Sequence, residues 1–92
     1  MTYNNRKLGE DLNIELKKGY DVVRIARWAY EVFSLNRRNL ETSTSKVLRS
    51  LFSMEDDPQF ELSEDELHLL AEKLIAGKED PLKELFLSLI HI

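Results

Sequence analysis

The chain has 92 residues, which suits one domain and is too short for two. It carries 13 Lys and Arg against 17 Asp and Glu, a net charge of −4, and this deficit of cations disfavours DNA or RNA as a bulk partner. There are no cysteines, which excludes disulfides, Cys-ligated zinc and thiol catalysis. No apolar run approaches the roughly 20 residues of a membrane span, and the polar start of the sequence does not resemble a signal peptide, so we expect a cytoplasmic protein.

Apolar residues recur at helical spacing throughout the sequence and predict an all-α, single-domain bundle of four to five short helices. The first predicted helix covers residues 6–18, where leucines recur every four residues, and it ends at Gly19. The second follows the N-cap residue Asp21. Its apolar residues, among them Trp28 and Tyr30, occupy more than half of its circumference, so we expect it to be the central helix.

The second half of the chain contains clear start and stop signals for helices. A third helix is predicted to begin at a cap among residues 42–44 and to end before Pro58, since the residue before a proline avoids helical geometry. Ser63 and Glu66 have the spacing of a capping box, which starts a fourth helix. Gly77 suits the left-handed position that follows the end of this helix.

The last predicted helix begins with a cap followed by a proline, Asp80 and Pro81. Leu82, Leu85 and Phe86 are among the apolar residues that we expect on its buried face. Glycines and prolines are few, and we expect them at the boundaries of helices.

The two halves of the chain differ in charge. Residues 1–49 carry ten Lys or Arg and six acids, a balance of +4, whereas residues 50–92 carry three Lys and eleven acids, a balance of −8. Like charges this close together repel, and only those in the first turn of the fourth helix are favoured by the helix dipole. The pattern is typical either of a solubilising loop or of a docking surface for a cationic partner. Seven acids lie within residues 55–66 without an intervening base: Glu55, Asp56, Asp57, Glu61, Glu64, Asp65 and Glu66.

We place the candidate partner-binding site in this acidic stretch. Met54 and Phe60 are apolar residues among acids, an arrangement that resembles anchors inside a charged rim. Pro58 restricts the conformations of the loop, which lowers the entropy lost on docking. In the alternative interpretation, Phe60 and Leu62 belong to the core beside the fourth helix. The predicted partner-binding residues are Met54, Glu55, Asp56, Asp57, Phe60, Glu61, Glu64 and Asp65.

No catalytic, cofactor-binding or metal-binding residue is predicted, and we expect no enzyme. His68 follows an apolar position of the fourth helix and is expected to face solvent, and His91 is the penultimate residue. The acid pair of Asp56 and Asp57 lacks the spaced ligands and the glycine of a calcium loop. There is no glycine-rich phosphate loop.

Two other functions stay open at this stage. The acidic stretch could serve an adaptor module, through an unrelated partner or a second copy of the chain. Alternatively, the basic half could belong to a small nucleic-acid-binding regulator, but the connection at residues 35–42 is long and lacks the glycine typical of a helix-turn-helix. In the simplest interpretation its cations are solvated charges of an exposed face, partly paired with nearby acids: Arg24, Arg27, Arg37, Arg38, Lys46 and Arg49.

Three segments together resemble small helical immunity proteins of bacteria, namely those of the colicin D type and of contact-dependent growth inhibition systems. They are KKGYDVVRIARWAYEVF at residues 17–33, SMEDDPQFELS at 53–63 and LAEKLIAG at 70–77. The resemblance implies an inert acidic domain that binds the basic cleft of a cognate nuclease toxin and excludes its RNA substrate. We expect the free protein to be a monomer or a weak homodimer. Carried over to this chain, that role falls on the acids between Glu55 and Asp65. The basic N-terminal half departs from the uniformly acidic surface that such a role would suggest.

Overall fold

The protein is all-α. The computed structural model describes residues 2–90, with the side chains of all of these except residues 60 and 88–90. A single 3₁₀ turn, Pro58–Phe60, lies between the third and fourth helices. Within the described range, every helix is too short or too polar to cross a bilayer. The five helices are α1 (Asn5–Lys17), α2 (Val22–Leu35), α3 (Thr42–Ser53), α4 (Glu64–Ile75) and α5 (Pro81–Ile90).

Several helix ends follow the local signals of the sequence. Asp21 accepts a hydrogen bond from the backbone N–H of Arg24 at the start of α2, and Asp80 accepts one from Lys83 in α5. The capping box at the start of α4 is complete, since the Ser63 hydroxyl and the Glu66 carboxylate each accept a backbone N–H of the other residue. Each of these interactions joins residues three positions apart, which is why the sequence predicts them.

The start of α3 differs from the prediction. Its N-cap is Glu41, whose side chain makes no capping hydrogen bond. The hydroxyls expected to cap the helix form tertiary contacts instead: Thr44 is fully buried and donates to Asn5 Oδ1 at 2.7 Å, while Asn5 Nδ2 donates to the Ser43 hydroxyl at 3.0 Å. These bonds attach the start of α1 to the start of α3, so the side chains expected at the helix cap serve packing between helices.

The helices pack mainly as two pairs, α1 with α4 and α2 with α3, and α5 lies against α4 and α3. The expectation that α2 is central is therefore wrong. Only Ile25, Ala26 and Ala29 of α2 are fully buried, whereas Tyr30, predicted at the core or its flank, is 58% exposed. Trp28 lies partly buried against the core.

The core is one cluster that draws side chains from all five helices. Gly9 lies in the middle of α1 rather than at a helix end, because α4 passes so close that a Cβ at this position would lie 2.8 Å from Cγ1 of Ile75. In α5, Leu85 is buried as predicted, but Phe86 is 49% exposed. Gly19 and Gly77 adopt positive φ angles of 113° and 77°, the left-handed geometry expected after the ends of α1 and α4.

Candidate partner-binding surface

The connection between α3 and α4 is held against the core by Met54. This residue is 2% exposed, and its sulfur accepts a hydrogen bond from the backbone N–H of Leu62 at 3.4 Å. The expected role of Met54 as an exposed anchor is therefore wrong, because the side chain fills the core under the connection. Leu62 is buried as well, as the core interpretation of this residue predicted. The predicted anchor Phe60 has its side chain outside the described part of the structure.

Three acids of the connection and of the first turn of α4 already have a structural partner. Glu55 forms an ion pair with Arg27, with 3.2 Å between Oε1 and Nη2. Asp57 caps the 3₁₀ turn by accepting the backbone N–H of Gln59 at 3.1 Å, and Glu66 belongs to the capping box of α4. These three carboxylates are explained by the fold, although Glu55 and Asp57 were predicted in the partner-binding set.

Four other acids are exposed, and their side chains make no hydrogen bond or ion pair with any residue in the range 2–90. Two of them, Glu64 and Asp65, lie in the first turn of α4, where the helix dipole favours negative charge by about 0.3–1 kcal/mol each. The other two lie in the connection itself and have no such compensation. We call these four residues the acidic surface: Asp56, Glu61, Glu64 and Asp65.

An aromatic residue from a distant part of the sequence lies beside the acidic surface. The Tyr20 hydroxyl, in the turn between α1 and α2, donates to the carbonyl of Leu62 at 2.6 Å. Burial raises the pKa of Tyr20 above its usual value, and the negative charges of Glu61, Glu66 and Glu64 raise it further. Tyr20 is nevertheless 38% exposed. Sequence reasoning did not assign this residue to the site, since only the folded chain brings it to the start of α4.

Three of the six cations that a nucleic-acid-binding regulator would need form ion pairs with acids of the same chain. Arg24 is bound to the carboxylate of Glu15 at 2.8 Å and to the Gly19 carbonyl at 2.6 Å. Lys46 lies 3.8 Å from a carboxylate oxygen of Asp80, and Arg27 pairs with Glu55 as described above. Among residues 2–90, Arg37, Arg38 and Arg49 alone of the six cations have no ion pair.

Two of these unpaired arginines line a groove between α2 and α3. The guanidinium carbon of Arg49 lies 5.5 Å from the ring centre of Phe33, a cation–π arrangement. The Phe52 ring meets both Phe33 and Tyr30 edge-on, with centroids 5.4 Å apart in each pair. We call this feature the α2–α3 groove, and the residues that shape it are Phe33, Arg37, Leu40, Lys46, Arg49 and Phe52.

His68 is exposed, as predicted, and His91 lies outside the described residues. No group of three or more His, Asp or Glu side chains within residues 2–90 is arranged to hold a metal ion. Comparison of the chain with protein-family models, with curated proteins and with solved structures finds no match in any of the three.

Proposed function

We propose that this protein is a cytoplasmic immunity protein that binds and neutralises a basic nuclease toxin domain. The observation that carries the proposal is the acidic surface, whose four carboxylates are exposed and form no ion pair with any cation within residues 2–90. Like charges held close together raise the free energy of the isolated protein, and a cationic partner would relieve that repulsion. Three neighbouring acids, Glu55, Asp57 and Glu66, form an ion pair or a capping hydrogen bond within the fold. The four carboxylates of the acidic surface form neither and remain exposed to solvent.

The mechanism follows from what a nuclease must do. A cleft that holds RNA phosphates is lined by cations, so an array of carboxylates can occupy it in place of the phosphates and exclude the substrate. Opposite charges on the two proteins would also raise the association rate constant, towards about 10⁸–10⁹ M⁻¹s⁻¹ at low salt. A fast rate suits an antidote, since free toxin acts until it is captured.

Affinity in such an interface depends on a few desolvated anchors. Because Met54 is buried, Tyr20 is the described aromatic residue best placed for this role. Its ring is partly exposed beside the acidic surface, and its hydrogen bond to Leu62 fixes its orientation before a partner arrives. A ring held in this way loses little side-chain entropy on binding.

The test is a charge reversal on the acidic surface. The variant Asp56→Lys/Glu61→Lys/Asp65→Lys leaves the capping residue Asp57 intact, and it should weaken binding by at least about 100-fold. The first partner to use is the C-terminal domain of the protein encoded directly upstream, with cleavage of RNA by that domain as a second readout. The variant should no longer inhibit cleavage, while its circular-dichroism spectrum stays helical.

A matched control reverses three acids elsewhere on the surface. Glu31, Glu41 and Glu72 are exposed and form no ion pair within residues 2–90. Their replacement by lysine changes the net charge by the same amount, but it should change the affinity only a few-fold. Equal losses in the two variants would indicate a general charge effect, and an unchanged affinity in the first variant would reject the acidic surface as the binding site.

A further inference from the structure

Along the exposed face formed by α2 and α3, cationic, aromatic and acidic side chains follow one another in a fixed order. The proposed function does not use this arrangement. On α3, Ser45, Arg49, Phe52 and Asp56 follow one another at intervals of four, three and four residues, which places them on one side of the helix and of the turn after it. The face therefore presents a cation, an aromatic ring and a carboxylate in sequence. Arg49 and Asp56 lie about two helical turns apart, or about 10 Å, with Phe52 between them.

The neighbouring helix continues the same order. Tyr30 of α2 lies beside Phe52, with its ring 58% exposed, and Arg37 follows α2 at the basic end near Arg49. Tyr30, Phe52 and Asp56 also line a shallow depression that adjoins the α2–α3 groove at Phe52. The ion pair of Arg27 and Glu55 lines the same depression, so the charge of Arg27 is already balanced by Glu55 beside Asp56. The basic end, the aromatic centre and the acidic end thus form one continuous surface.

A surface with this order of charges is complementary to a second copy of itself. A two-fold axis places each residue of a surface patch opposite a different residue of the same patch in the second copy. If the axis passes near Phe52, the basic end of one copy meets the acidic end of the other, and the aromatic residues of both copies meet at the centre. Arginine and aromatic side chains are the residues enriched in the cores of protein interfaces.

We propose that two copies of this chain associate through the α2–α3 face about a two-fold axis near Phe52. Arg49 of each copy pairs with Asp56 of the other, and the Tyr30 and Phe52 rings form the centre of the interface. Neither Arg49 nor Asp56 has an ion-pair partner within residues 2–90 of its own chain, so both are available. The order of charges favours a second copy over an acidic peptide in the groove, because a peptide would leave Asp56 unpaired. It also disfavours nucleic acid, because that ligand would bring its phosphates close to Asp56 and Glu55.

The dimer does not depend on the proposed function, although both use Asp56. Tyr20, Glu61 and Asp65 have no part in the proposed contact, and Arg49 has none in nuclease binding. The variant Arg49→Asp should therefore lose the dimer while still binding a basic nuclease domain, so failure of either proposal is visible separately.

Sedimentation velocity of the isolated chain tests the dimer. The wild-type protein should associate in a concentration-dependent manner that weakens as salt is added. Arg49→Asp and Asp56→Arg each place like charges opposite one another twice per dimer, and each should raise the dimer dissociation constant at least about 100-fold. Lys78→Asp, which removes an exposed cation outside the face, should leave association unchanged.

The decisive sample is an equimolar mixture of the two single variants. In a mixed dimer, the carboxylate introduced by Arg49→Asp in one copy faces the guanidinium introduced by Asp56→Arg in the other. The unchanged Arg49 and Asp56 pair across the other half of the interface, so both contacts join opposite charges. The mixture should therefore form heterodimers, and the double variant Arg49→Asp/Asp56→Arg should form homodimers again. Recovery in the mixture also shows that the single variants are folded.

Three results would overturn the proposal. The first is a wild-type protein that stays monomeric up to about 1 mM, where even a weak specific association becomes visible. The second is a wild-type dimer that both single variants retain, which would place the interface elsewhere. The third is a pair of monomeric variants that do not associate when they are mixed.

Discussion

The turn between α1 and α2 and the connection between α3 and α4 are both rich in charge, and they use it in opposite ways. In the first, Glu15 is 8% exposed and receives Arg24 and Lys18, each at 2.8 Å. Arg24 also donates to the backbone carbonyls of Glu15 and Gly19. At the second, the acidic surface, which extends into the first turn of α4, is exposed and forms no ion pair within residues 2–90.

The difference shows which charges the fold needs. A carboxylate that is nearly buried costs free energy unless hydrogen bonds and a cation satisfy it, and Glu15 has both. Exposed carboxylates remain hydrated, so the acidic surface persists without partners at the modest cost of mutual repulsion. Within the acidic surface, Glu64 and Asp65 gain from the dipole of α4, whereas Asp56 and Glu61 have no such compensation. All four carboxylates remain free of ion pairs within residues 2–90, which is why the proposed function rests on them.

The largest expected effect comes from removing the paired charge. Glu15→Gln leaves the Arg24 guanidinium without a carboxylate at a site that is mostly shielded from water, and it should lower the free energy of unfolding by about 1–3 kcal/mol. Chemical denaturation monitored by circular dichroism measures this loss. The matched control is Glu10→Gln, which removes an exposed i,i+4 pair with Arg6 at 3.9 Å and should cost less than about 0.5 kcal/mol. Equal losses in the two variants would contradict the structural role of the Glu15 cluster.

A smaller effect is expected from removing an unpaired charge. Glu61→Gln should raise the free energy of unfolding slightly, by roughly a few tenths of a kcal/mol, because it relieves repulsion within the acidic surface. It should also lower the pKa of Tyr20, since Glu61 contributes the largest charge effect on that hydroxyl. A loss of stability in this variant would show that Glu61 supports the fold and is not reserved for a partner.

The folded protein favours the protonated form of the Tyr20 hydroxyl, and this sets the sign of the pH dependence of its stability. The pKa of Tyr20 is raised in the folded protein, so its contribution to stability is complete below the ordinary tyrosine pKa of about 10 and is lost as the pH rises through the folded value. In Glu61→Gln the remaining contribution is smaller, and the alkaline loss should be smaller too. Ultraviolet titration of tyrosinate, with Tyr20→Phe as the reference for the other tyrosines, measures the shift.

Local signals in the sequence predict the helices well. Asp21, Ser63 and Asp80 each cap a backbone N–H three residues ahead, so their roles depend on neighbours in the sequence. The all-α class follows from the same short-range periodicity. The predictions that fail concern contacts between distant segments: the arrangement of the helices in pairs, the close approach of α4 to Gly9, and the tertiary hydrogen bond of Thr44.

The candidate site also combines features that the sequence predicts with features that only the fold reveals. The concentration of acids is visible in the sequence, but the sequence analysis did not separate Asp57, which caps a turn, from the neighbouring Asp56, which does not. The signal was present, because Asp57 precedes Pro58 just as the cap Asp80 precedes Pro81. Met54 looked like an anchor because its neighbours are charged, yet the connection folds its side chain into the core. Tyr20 was missed because it lies more than forty residues from its hydrogen-bond partner, Leu62. Its only sequence signal is an aromatic residue in a polar turn.

The most direct measurement of the central claim is the association rate constant with the C-terminal domain of the protein encoded directly upstream, followed over a range of salt concentrations. For the wild-type protein the rate should be fast at low salt and fall steeply as salt is added. The neutral variant Asp56→Asn/Glu61→Gln/Asp65→Asn should associate more slowly and with a much weaker dependence on salt. A wild-type rate that does not change with salt, or a neutral variant that associates as fast as the wild type, would contradict the role assigned to the acidic surface.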